Sequence, residues 1–181
     1  MTRKVLFAFC AALLAGCAHH GHFRAPDPEN PRAQVVVAPN GYLVVNQEPL
    51  VVAFKPNTPT LVTWRVAPGL KFEPQGGIKI IGKVKDAEQN PIPVDTGQNG
   101  QIRCNLGDKP SENTLSALAR VAPDNAGLKD LAERARAAAT PPDPQAFVCV
   151  VLPTIQRGHY AYSITVDQGG KLIKQDPTLM I

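Results

Sequence analysis

The sequence predicts a mainly β fold, a two-sheet antiparallel β-sandwich interrupted by one short helical hairpin, and three observations predict it. Eighteen prolines and fourteen glycines fall between short apolar runs and do not gather in one block, the punctuation of a protein made of many strands and turns. Residues 60–67 alternate, with Val62, Trp64 and Val66 on one face and Leu61, Thr63 and Arg65 on the other, the period of a half-buried strand. Across 111–139 the period lengthens to that of an amphipathic helix.

Taken in order, residues 18–32 are polar, proline-rich and without period, so they read as a tether, and the domain runs from 33 to 181. Strand-like runs follow at 34–37, 42–45 and 50–54, and Asn40-Gly41 between the first two predicts a tight type I′ hairpin. The loop 55–59 leads into the alternating strand, whose Trp64, the single tryptophan, is expected at the centre of the core. Pro68-Gly69 turns the chain into short strands at 71–73 and 77–83, and a polar connection at 84–100 precedes a strand at 101–106. The remaining strands are expected at 146–152, at 159–167 and, after the Gly169-Gly170 turn, in one last strand ending near Ile181.

Between them lies the insert, 111–139. Leu115, Leu118, Ala119 and Ala122 stand at i, i+3, i+4 and i+7 behind Ser111 as N-cap, and Leu128, Leu131, Ala132 and Ala135 repeat the spacing after Asp124. Pro141, Pro142 and Pro144 end it. Two roles fit an alanine-rich hairpin on a β scaffold: a recognition surface for a protein partner, or a cover over an open sheet edge or face.

The start of the chain carries an address. Thr2-Arg3-Lys4 precede an apolar run at 5–15 that is too short to span a bilayer, the pattern of a secretory signal. The run closes on Leu14-Ala15-Gly16-Cys17, which resembles the lipobox of bacterial lipoproteins. The resemblance implies cleavage after Gly16, removal of Cys10 with the leader, lipidation of Cys17 and a membrane as partner. With Ala18 in place of an aspartate after the lipidated residue, it implies the periplasmic face of an outer membrane. Cys104 and Cys149 then remain. Each lies in an apolar strand-like run, and in an oxidising compartment the simplest reading is a structural disulfide between them; a reactive thiol pair would want a CxxC or a neighbouring histidine.

A formal charge of +4 drops to +2 once Arg3 and Lys4 leave with the leader. No basic run is interleaved with stacking aromatics, so nucleic acid is not an expected partner. Thr63-Trp64-Arg65-Val66, Phe72, Gly77-Ile78, the run 160–166 and Asp176-Pro177-Thr178 together resemble the DP-EP family of small bacterial immunoglobulin-like β-sandwiches. The resemblance covers about a third of the domain and implies an immunoglobulin-like sandwich without an assigned activity. The leader, the insert and the paired cysteines depart from it.

Catalytic signatures are absent from the sequence: it holds no GxSxG, HExxH, P-loop or dinucleotide fingerprint. His159 is the one histidine of the folded part, set in a strand beside two tyrosines, and Asp86, Glu88, Asp95 and Asp108 lie in polar connections. His19, His20 and His22 in the tether lack the fixed geometry of a metal site. The expectation is therefore a non-catalytic binding or structural module with no cofactor or metal, engaging an envelope protein through 111–139. A small-ligand carrier with a cavity between the sheets is the alternative, and a hydrolase a more distant one.

Overall fold

A computed structural model describes residues 26–84, 101–121 and 141–181. In chain order these form β1 (Arg32–Val37), β2 (Leu43–Val45), β3 (Leu50–Val51), β4 (Thr60–Val66), β5 (Lys71–Phe72), β6 (Ile78–Val84), β7 (Ile102–Leu106), α1 (Glu112–Val121), β8 (Ala146–Val151), β9 (His159–Gln168), β10 (Lys171–Gln175) and β11 (Thr178–Met180). The protein is mainly β. One five-stranded sheet has the order β2-β1-β4-β8-β7, and a six-stranded sheet is organised around β9. Their facing sides share one hydrophobic core, so the coarse arrangement is a sandwich.

The sheets are mixed, which corrects the antiparallel expectation. β1 runs parallel to β4, and β3 parallel to β11. Parallel neighbours need a crossover: between β1 and β4 the chain first adds β2 beside β1 in the same sheet, then crosses to add β3 to the second sheet and returns as β4. Alternation in a sequence fixes which face of a strand is buried but carries no information on the direction of its neighbour.

β9 is the spine of the second sheet. Tyr160, Tyr162, Ile164 and Val166 point into the core at every second position. Its one edge pairs with β10 and then β11, the other with β5 and β6. The last strand is not continuous as expected: Pro177 lacks an N–H and splits it, yet its carbonyl accepts from the Tyr162 N–H at 3.1 Å. Glu48 secures the break, its Oε1 accepting from the backbone N–H and the hydroxyl of Thr178 at 2.7 and 2.5 Å.

The β1–β2 turn also differs from expectation. Gly41 alone takes positive φ there, at 84°, and its N–H donates to the Ala38 carbonyl at 2.8 Å. Type I′ needs positive φ at two successive residues. Pro39 at the second turn position favours the ordinary type I geometry, which overrides the Asn40-Gly41 signal.

The stretch read as a tether joins the domain earlier than its composition implied. The carbonyls of Pro28 and Pro31 accept from Ala53 and Thr63 at 2.7 and 3.1 Å, and Glu29 pairs with Lys55 at 2.5 Å. Proline cannot donate but accepts freely, so a proline-rich segment can still lie along a sheet.

Trp64 of β4 and Tyr162 of β9 meet between the sheets, both fully buried. Their ring centroids are 5.5 Å apart and the indole Nε1–H donates to the phenol oxygen at 3.3 Å. Burial pushes the Tyr162 phenol well above its ordinary value of 10.0; the Trp64 hydrogen bond opposes the shift and the charge of Glu48 adds to it. A raised folded-state value means that this contribution to stability is fully present below 10 and is lost as pH rises above it. Denaturant titrations from about pH 8 to about pH 11 are therefore expected to show falling stability on the alkaline side. Tyr162→Phe should make that fall shallower, while costing about 1–3 kcal/mol at neutral pH by leaving the Trp64 donor buried without an acceptor.

Candidate functional site

The insert rises from a base that the scaffold pinches shut. At its N-terminal side, Asn105 of β7 folds the chain back: its Nδ2 donates to the carbonyls of Leu106 and Lys109 at 3.0 and 2.9 Å, and its Oδ1 accepts from Ser111 N–H at 3.0 Å. Gly107 takes φ 103° at the bend, and a Cβ there would stand 3.3 Å from the Pro142 Cβ on the returning chain. Across the base, Arg65 on the outer face of β4 holds Asp143 at 3.0 Å and Asp108 at 3.5 Å, one aspartate from each end of the insert. All three side chains are about half exposed, so the energy is modest, roughly 0–1 kcal/mol per pair, and the effect is geometric.

Ser111 caps α1 as expected: its Oγ accepts from Thr114 N–H at 3.2 Å and its carbonyl from Leu115 N–H at 3.0 Å. Leu115 and Leu118 are buried against Val150 and Leu152, with Leu61 packed alongside. α1 thus lies on the outer face of the first sheet and covers Val150 of β8, a strand buried on both faces. Ala119, expected on the apolar stripe, is exposed, as are Glu112, Asn113 and Arg120. The first leg of the insert covers a sheet face and turns a polar side outward. The second leg, 122–139, lies outside the described residues.

Cys104 and Cys149 are joined, as expected, with Cα atoms 4.0 Å apart. They are directly opposed on β7 and β8 and belong to the inner face, packed on the common core. The bond therefore ties an edge strand to its neighbour directly beneath the insert. On the chain-entropy account, closing a loop over a sequence separation of 45 contributes roughly 4 kcal/mol.

Other candidates are placed differently. Asp108 belongs to the Arg65 clamp. His159 stands exposed at the start of β9 between Val84 and Met180, with no carboxylate or hydroxyl hydrogen-bonded to it among the described residues. Cys10, Cys17, His19, His20, His22, Asp86, Glu88 and Asp95 lie outside the described residues. Between the sheets the Trp64 and Tyr162 rings occupy the space an internal ligand would need. A dent at one end of the sandwich, among Phe54, Thr58, Thr60, Leu152 and Ile181, has no internal room for a water molecule. No helix among the described residues is long and apolar enough to cross a membrane.

Sequence reasoning missed the clamp. Arg65 reads as one more outward residue of an alternating strand, and its partners stand 43 and 78 positions away in the chain. Asn105 carried a weak signal, since a short polar side chain next to Gly107 is a turn former. In comparisons with known proteins, no family model matches this chain and no curated protein matches it.

If α1 is held by its apolar face, Leu118→Ala should lower stability by about 2–4 kcal/mol, because the small cluster under it cannot close the gap. Arg120→Ala on the outward side should change stability by less than about 0.5 kcal/mol. Equilibrium denaturation of the two variants checks both.

Proposed function

We propose that this chain is a lipid-anchored, non-catalytic binding or structural module, tethered through Cys17 to the periplasmic face of an outer membrane and engaging an envelope protein through its clamped insert. The Cys104–Cys149 bond carries the reading. Such a bond persists in oxidising compartments outside the cytosol, where a chain led by Thr2-Arg3-Lys4, the apolar run 5–15 and Leu14-Ala15-Gly16-Cys17 is delivered. Pro28 is the first described residue whose backbone bonds to the domain, and the chain between it and Cys17 can span at most about 35 Å.

The immunoglobulin-like character of the sandwich, and with it the likeness to the DP-EP family, belongs to the same proposal. Two sheets closed on a tryptophan core support it. The disulfide is a departure, because it joins neighbours within one sheet, whereas the bridge of antibody domains crosses between sheets. The filled space around Trp64 and Tyr162 gives the carrier alternative no support, and the isolated exposure of His159 gives a hydrolase none.

The test is intact mass and membrane fractionation in the native host. The wild type is expected to lose its first 16 residues, gain acyl mass and sediment with the outer membrane. Cys17→Ser should abolish the acyl mass and release the protein from the membrane. A soluble, unacylated wild type would overturn the reading.

A further inference from the structure

The chain holds four histidines and two methionines. Three of the histidines, His19, His20 and His22, stand together in the N-terminal segment, and the fourth is His159; past the start residue the one methionine is Met180. The fold sets His159 and Met180 side by side. Gly158 and Ile181 exchange both backbone hydrogen bonds, at 2.9 and 3.0 Å, so the next pair along β9 and β11, His159 opposite Met180, is a non-hydrogen-bonded one. The Cα atoms of such a pair stand about 4.5 Å apart and the side chains lie closer than at the hydrogen-bonded positions. Tyr160 and Leu179, the following pair, are buried in the core, so by the alternation of the pleat His159 and Met180 both project from the outer face of the second sheet. His159 is exposed and Met180 half-buried, and neither side chain makes a hydrogen bond or ring contact among the described residues.

The N-terminal segment lands beside this pair. Val52 N–H donates to the Met180 carbonyl at 2.8 Å, and the next N–H along, that of Ala53, donates to the Pro28 carbonyl at 2.7 Å. Pro28 is thus within two strand spacings of Met180, about 10 Å. His22 precedes Pro28 by six residues, a length of chain that spans at most about 20 Å, so the three histidines can reach His159 and Met180.

We propose that His159 and Met180 are the fixed half of a monovalent-copper site that the histidines of the N-terminal segment complete. The donors select the ion: thioether and imidazole are soft or borderline ligands that suit Cu(I), whereas Ca²⁺ and Mg²⁺ want carboxylate and carbonyl oxygen. His19, His20 and His22 by themselves have no fixed geometry, and the strand pair supplies it by holding one nitrogen donor and one sulfur donor at a set separation. Two donors on one sheet face leave coordination positions open toward solvent, where imidazoles from the segment can enter. No group of three or more His, Cys, Asp or Glu side chains among the described residues offers a competing site. The inference does not rest on the lipid anchor, since the same residues are present whether or not Cys17 is acylated.

The test uses the full chain carrying Cys10→Ser and Cys17→Ser, with Cys104–Cys149 intact, so that no free thiol binds the metal. Cu(I), generated with ascorbate under nitrogen, is titrated in competition with the chromophoric chelator bicinchoninate. One Cu(I) per chain is expected, with a sulfur neighbour at copper in the X-ray absorption spectrum. Met180→Leu, which conserves volume, and His159→Ala, at an exposed position, should each weaken binding at least about tenfold, as should His19→Ala, His20→Ala and His22→Ala made together; loss even of a group that merely orients a ligand costs that much. Met180→Leu should also lose the sulfur signal, although Met1 is still present. Unchanged denaturation midpoints without copper show that the variants are folded, and the N-terminal triple variant leaves the described domain untouched. Complete loss of copper from the parent chain to bicinchoninate, unchanged affinity in any one of the three variants, or a sulfur signal that survives Met180→Leu would each overturn the proposal.

Discussion

The contact on which the rest of the structure depends is the one between Trp64 and Tyr162, where the two sheets meet at their largest side chains. Each ring brings a polar atom into a space without water, and burying either alone would cost about 1–3 kcal/mol. The hydrogen bond between them removes that cost only when β4 and β9 lie at one height relative to each other. Apolar packing tolerates small slips; a directed bond between two sheets does not. The contact therefore serves as the reference that sets the two sheets in register, and β9, paired along both edges, carries that register through the second sheet.

From that reference the placement of the insert follows. β4 faces the core with Trp64 and, one residue on, faces outward with Arg65, whose guanidinium spans Asp108 and Asp143. The residue that aligns the sheets and the residue that gathers the two ends of the insert are adjacent in the chain, so the base of the insert is indexed to the core. Beneath it the Cys104–Cys149 bond adds a covalent tie between an edge strand and its one paired neighbour. An excursion rooted on a floor of this kind has its first helix pressed onto the sheet by Leu115 and Leu118 and its polar side turned outward. That geometry is compatible with both a cover and a presented surface, and the two roles occupy opposite faces of the same helix.

Much of this was legible, and the limits have physical causes. The alternation at 60–67 and 159–167 places Trp64 and Tyr162 inside because burial follows the pleat, a local property. Ser111 as a cap is likewise local, and the pairing of Cys104 with Cys149, 45 residues apart, is legible for a different reason, that they are the two cysteines left for an oxidising compartment. The direction of β1 relative to β4 was not legible, because direction is decided by where the chain travels between them, through β3 in the other sheet. Asn40-Gly41 alone signals a type I′ turn, but the fixed φ of Pro39 outranks it. The final strand reads as continuous in sequence because a proline at a strand edge costs a ladder bond but need not end the strand, and only the structure shows the break at Pro177. The clamp could not be read at all, because Arg65 acquires its meaning only when two distant aspartates arrive beside it.

The edges show how the domain divides stability from exposure. Two open sheets packed as a sandwich leave strand edges, each one a template for pairing. Among the described residues the protection takes several forms: a bulge with flanking lysines at β6, lysines at β10, shortness at β2 and β3. Protection of this kind sacrifices favourable pairing for specificity, so the strand edges answer to a constraint that core packing alone does not impose.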